Sequence, residues 1–88
     1  MKAGIEKKRK IIGKLLRSIR RTKDITQSQI SSALGAKQPA IIQRVEAGTR
    51  GLDVAELWEI CQVLEMSFVE MARQIDELIK KDNEKNEN

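Results

Sequence analysis

The sequence predicts an all-α chain of five helices around one small core, and three observations predict it. Apolar residues recur at helical spacing, as in Ile12, Leu15, Leu16 and Ile19 at i, i+3, i+4 and i+7. Three N-terminal capping signals pair a Thr, Asp or Ser with a Gln or Glu three residues on: Thr26–Gln29, Asp53–Glu56 and Ser67–Glu70. No stretch alternates apolar and polar residues for long enough to make a strand.

Residues 1–6 read as a flexible arm, followed by a first helix from about Glu6 to Thr22. Its cations, Lys7 to Lys10, Lys14, Arg17 and Arg21, lie mostly off the apolar face. Lys23-Asp24 is the expected turn. The Thr26–Gln29 box starts a short second helix carrying Ile30, Ala33 and Leu34, which Gly35 stops by taking the left-handed conformation a helix end favours. Pro39 suits the first turn of a third helix, where a missing N–H costs nothing. There Ile42 and Val45 face inward, and Gly48 ends it. The fourth helix presents Leu57, Ile60, Cys61 and Leu64. The fifth carries Phe68, Met71, Ala72, Ile75, Leu78 and Ile79 along one stripe. The polar run from Asp82 has no apolar residue, so residues 82–88 are expected to be a disordered tail behind a single domain of residues 1–81.

Composition narrows the function. With 88 residues, the longest uninterrupted apolar run is three (Ala40–Ile42), far short of the roughly 20 a spanning helix needs. No secretory segment is visible, so the expected location is cytoplasmic. One cysteine and no histidine exclude an internal disulfide and a Cys/His zinc set, and remove the commonest proton-transfer chemistry. No catalytic residue, metal or cofactor is expected, and the chain does not read as an enzyme. Charge is the stronger signal. The net +4 hides two opposed halves: residues 1–51 hold 13 Lys/Arg and 3 Asp/Glu, a balance of +10, while residues 52–88 hold 4 and 10, a balance of −6. A basic half of this kind suits a polyanionic partner.

Two helices joined by a short Gly-containing turn form the spacing of a helix-turn-helix, a weak signal alone. The residues strengthen it. Ile12 to Arg20, Thr26-Gln27 with Ile30, Leu34-Gly35, Val45-Glu46 with Gly48, and Leu52 to Leu64 keep their mutual spacing over roughly residues 11–72. In this the chain resembles the XRE-type (Cro- and phage-repressor-like) helix-turn-helix DNA-binding family. The resemblance implies a lambda-repressor-like domain of five helices, here with an extended C-terminal helix. It implies a phosphate contact at Gln27, a structural salt bridge between Arg20 and Glu46, and base reading from the start of helix three.

Three departures stand out. One extra residue lies between Gly35 and Glu46, at about Ala36 to Gln38. Aligned from Gly35, the base readers are Gln38, Pro39 and Gln43; aligned from Glu46, they are Pro39, Ala40 and Arg44. The second alignment better explains the inward Ile42 and Val45. Asp24 replaces a usual glycine, and Ser31 a usual alanine. Gln matches the adenine edge and Arg the guanine edge. The candidate base-reading set is therefore Gln38, Ala40, Gln43 and Arg44. Lys37, Arg50, Arg21 and Gln27 are the candidate phosphate contacts. The basic run Lys7–Lys10 reads as a solvated face or as a further phosphate contact.

The late members of the fifth-helix stripe, Ile75, Leu78 and Ile79, run past what a small domain is expected to cover, which makes them a candidate homodimer interface. Two-fold pairing would set two recognition helices about 34 Å apart on a palindromic site. The expected partners are double-stranded DNA and a second copy, with no membrane and no small-molecule ligand. The alternative is an antitoxin-like interaction module that binds a partner protein through its last helix.

Overall fold

Gly4, in extended conformation, precedes α1 (Ile5–Thr22), and each later helix starts at a residue suited to it. The computed structural model describes residues 4–35 and 39–86, with side chains through Lys85. The Thr26 hydroxyl accepts from the backbone N–H of Gln29 while the Gln29 side chain accepts from the N–H of Thr26, which opens α2 (Gln27–Ala33). Pro39 stands before α3 (Ala40–Ala47). Asp53 and Glu56 make a second reciprocal box at α4 (Val54–Val63). At α5 (Phe68–Asn86) only half the expected box forms. Ser67 Oγ accepts from the N–H of Glu70 at 3.3 Å, but the Glu70 carboxylate accepts from Arg73 and Gln74 instead.

The ends of α1, α3 and α4 share one geometry. After α1 the N–H of Asp24 donates to Arg21 and that of Ile25 to Arg20; after α4 the N–H of Glu65 donates to Gln62 and that of Met66 to Cys61. Both are Schellman closures, which need a left-handed residue after the cap. Gly48 fills that role after α3 at φ 81°, with the N–H of Thr49 returning to Arg44. Asp24 and Glu65 fill it without glycine, at φ 56° and 52°, where a side chain costs roughly 1–2 kcal/mol. The left-handed backbone at Asp24 accounts for the glycine that the resemblance has at this position.

The core is Leu16, Ile30, Ile42, Val45, Ile60, Cys61, Leu64 and Met71, so every helix contributes. Burial pushes the Cys61 thiol pKa up, which keeps it protonated and inert. α1 packs on α3 and α5, α2 on α3 and α4, and α4 on α5. The α1–α3 seam depends on Gly13: a Cβ there would stand 2.2 Å from the Val45 carbonyl oxygen and 2.8 Å from that of Glu46. The helix accepts glycine's propensity cost of about 1 kcal/mol because only glycine lets the two backbones come this close. Ser31 is 1% exposed and its hydroxyl has no hydrogen-bond partner among the described residues.

Two expectations about the ends change. Ile5 and Glu6 are helical rather than part of an arm, and residues 1–3 lie outside the described residues. The expected disordered tail does not hold for residues 82–86, because α5 continues to Asn86. The reason is tertiary. α5 lies along α1, Lys7 pairs with Asp82 at 3.7 Å, and Asp82 and Asn83 are half-buried, so polar residues gain contacts that their composition does not advertise.

Candidate nucleic-acid interface

Glu46 is the hub from which the site is built. It lies on the inner side of α3, 8% exposed. Arg20 Nε donates to its Oε2 at 2.6 Å and Arg20 Nη2 to its Oε1 at 3.0 Å, a forked pair spanning α1 and α3. Arg20 Nη1 donates to the Ile25 carbonyl, and Gln27 Nε2 donates to Glu46 Oε1 at 3.0 Å. One carboxylate therefore ties the end of α1, the start of α2 and the last turn of α3, and Arg20 adds the turn through Ile25. Its hydrogen bonds hold the Arg20 pKa above the ordinary value, so the guanidinium stays charged. Lys23 adds a tie from the turn, donating to the Leu64 carbonyl at the end of α4.

These ties fix the relation of α2 to α3. With Ile42 and Val45 buried and Glu46 turned in, α3 leaves Ala40, Gln43, Arg44 and Ala47 on its outer side. An open groove of about 840 Å³ runs beside it. Arg17 and Arg21 from α1, Gln27 and Ser28 from α2, Pro39 just before α3, and Gln43 and Ala47 from α3 line it. Such a groove offers amide donors and acceptors on the α3 side and guanidinium groups on the α1 side.

Among the candidate base readers, Gln43 and Arg44 are exposed on opposite margins of the outer face of α3, and Ala40 is half-buried between them. Gln38 lies outside the described residues, as does Lys37 among the phosphate candidates. Arg21 is exposed on the groove wall. Gln27 also lines the groove, with one amide N–H given to Glu46. Arg50 is engaged elsewhere: its guanidinium forks onto Glu56 at 3.1 and 3.5 Å, which staples the α3–α4 loop to the first turn of α4. Arg50 Nη1 also donates to the Gly51 carbonyl. Arg17 was not among the candidates, although its spacing from Arg21 places both on one side of α1.

The candidate interface residues Ile75, Leu78 and Ile79 divide. Ile75 packs against the core and Ile79 is half-buried, while Leu78 is 38% exposed. The length of α1 beneath α5 accounts for that cover, so the stripe is not left bare as a set. Among the described residues, no group of three or more Cys, Asp or Glu side chains is placed to hold a metal ion, and no helix is long and apolar enough to cross a membrane.

A short α2 and an α3 locked at fixed angle, with the outer face of α3 open, define a helix-turn-helix protein. The helix-turn-helix family matches this chain over residues 16–71, and the chain belongs to that family, in its XRE branch. An uncharacterised HTH-type transcriptional regulator, y4dJ, of Sinorhizobium fredii (strain NBRC 101917 / NGR234) is similar to it, 33% identical over 69 residues that cover 78% of this chain and 88% of the relative.

Proposed function

We propose that the chain is a sequence-specific DNA-binding transcriptional regulator, a repressor or controller-type protein that acts as a homodimer on a palindromic operator. The observation that carries this reading is the open face of α3 beside a groove walled by Arg17 and Arg21, on the half of the chain with a charge balance of +10. In this reading Gln43 and Arg44 address base edges, with Ala40 against a thymine methyl. Arg21 and the second amide N–H of Gln27 hold phosphates. Gln38 and Lys37, at the entry to α3, complete the two sets. The half with a balance of −6 turns away from DNA and pairs the subunits. It keeps large apolar side chains exposed for that purpose: Val54 and Trp58 on α4, and Val69 and Leu78 on α5.

The test is selection of bound duplexes from a random pool, with light scattering on the same protein. A palindromic consensus and a dimer mass are the expected results. Arg44→Ala and Gln43→Ala should each relax base preference at one position of the half-site. A non-palindromic consensus with a monomer mass would remove the dimer, and no enrichment at all would remove the reading.

A further inference from the structure

We propose that Lys14, Arg17 and Arg21 form a second phosphate-binding strip on α1, which grips the DNA backbone beside the segment that α3 reads. This rests on the DNA-binding reading above and extends its footprint along α1 from Arg21 to Arg17 and Lys14.

The geometry of α1 sets the strip. At 100° per residue, positions 14, 17 and 21 fall within roughly 60° of one another, and they span roughly 10 Å of helix axis. Arg17 and Arg21 share the main groove with Gln27 and Gln43. Together with Lys14, Ser18 and Thr22 they also line an adjoining depression of about 410 Å³. The two arginines are therefore the ridge between two concave surfaces, and the positive wall continues from one into the other.

The charges are uncommitted. Lys7, Arg20, Arg50, Arg73 and Lys80 each have a carboxylate partner. Lys14, Arg17 and Arg21 are exposed and have none among the described residues. A merely solvated helix face mixes signs, as α5 does with Glu70, Arg73, Asp76, Glu77 and Lys80. Glu6 is the one acid in α1, and it lies two turns before Lys14. Of the acids lining the groove, Glu46 is paired with Arg20, and Asp24 lies in the turn after α1. Like charges at i, i+3 and i, i+4 repel, so a helix carrying such a row unrelieved is stabilised by an anion that runs along it. A DNA strand, with a phosphate every 3.4 Å of axis, is such an anion.

The test is a salt titration of duplex binding with the full chain, using a selected duplex and a random one. The double variant Lys14→Gln, Arg17→Gln should flatten the log–log salt slope by about 1.8, at about 0.9 per lost phosphate contact. It should weaken both duplexes alike, by roughly 30-fold at 0.15 M salt on the same relation. Arg17→Lys should restore most of the slope lost by Arg17→Gln, since the charge is kept. Arg73→Gln with Lys80→Gln removes the same formal charge from α5 and should leave the slope at the wild-type value. An unchanged slope in the α1 variant overturns the strip, and so does an equal flattening in the α5 variant. Loss of binding to single-stranded RNA or to phosphatidylserine vesicles, with the duplex slope intact, also overturns it. If the wild-type chain binds no duplex, the strip falls together with the DNA-binding reading; in every other failing outcome the strip falls alone.

Discussion

Two arginines in this molecule each hold carboxylates, and the two regions use them differently. At the α1–α3 seam Arg20 forks onto Glu46, with side chains only 11% and 4% exposed and 26 residues of chain between them. On α5, Arg73 pairs with Glu70 and Glu77, three and four residues away on the same exposed helix. Both arginines have pKa values raised by these contacts, and Glu70 is held down to about 2, first by its hydrogen bond from Arg73. The two arginine shifts run in the same direction, but the structural consequences differ. Water screens the α5 pairs, and they fix only a helix that packing already forms. The buried pair joins elements distant in sequence and sets the angle at which α3 is presented. In the basic half Arg17 and Arg21 on α1 face the groove without an acid partner among the described residues; on α5 the local acids take up Arg73 and Lys80.

The sharpest way to break this contrast is Glu46→Ala. It strands the Arg20 guanidinium and a Gln27 amide in a nearly closed site, and should cost about 3–5 kcal/mol, lowering the melting temperature by more than about 10 °C. Thermal melting followed by circular dichroism measures it; a loss as small as that of an exposed pair would show that the seam is held by apolar packing alone. Gly13→Ala attacks the same seam sterically, by driving a methyl group into two backbone carbonyls. It should cost about 2–3 kcal/mol, in a helix where alanine would otherwise be favoured. Val45 and Glu46 must move to make room, so duplex affinity should fall with stability.

Smaller effects come from the helix ends. Asp24→Gly in the basic half and Glu65→Gly in the acidic half should each raise stability by about 1 kcal/mol in urea unfolding, because both positions are left-handed. A gain at one and a loss at the other would assign the losing side chain a role beyond its backbone conformation. The smallest effect is on α5. The depressed folded-state pKa of Glu70 means that its contribution is present above the ordinary carboxylate range and is lost as pH falls from about 4.5 toward about 2. Arg73→Gln should remove that acid-range component of α5 helicity while barely changing the melting temperature at pH 7. A large change at pH 7 would place the α5 pairs on a level with the buried one.

Much of the fold was legible because it is local. Three of the helix starts lie at side-chain caps visible as residue pairs, and Gly35 and Gly48 mark two ends at positive φ. The end of α4 was harder to read, since Glu65 carries the left-handed turn that glycine usually marks. The groove was partly legible, with Gln27, Gln43 and Arg21 on its wall. The Arg50–Glu56 fork was not legible, because a loop cation gives no sign in the sequence that an acid six residues on will pair with it. The DNEKNEN run misled. Its composition suits disorder, yet its first residues run alongside α1 and pair with Lys7.

Sequence by itself determined the helices, the inward-facing residues of α3, and the split into a basic and an acidic half. Those follow from periodicity, capping chemistry and counting, which act over a few residues. Only the tertiary structure decided which charges are spent and which remain available. Arg20, Arg50 and Lys7 meet their acids across helix packing or a loop, whereas Lys14, Arg17 and Arg21 meet none among the described residues. It also decided how far α5 extends and that Ile75 packs against the core. An ion pair or a covered apolar face depends on distances between elements, and those distances exist only once α1 lies across α3 and α5.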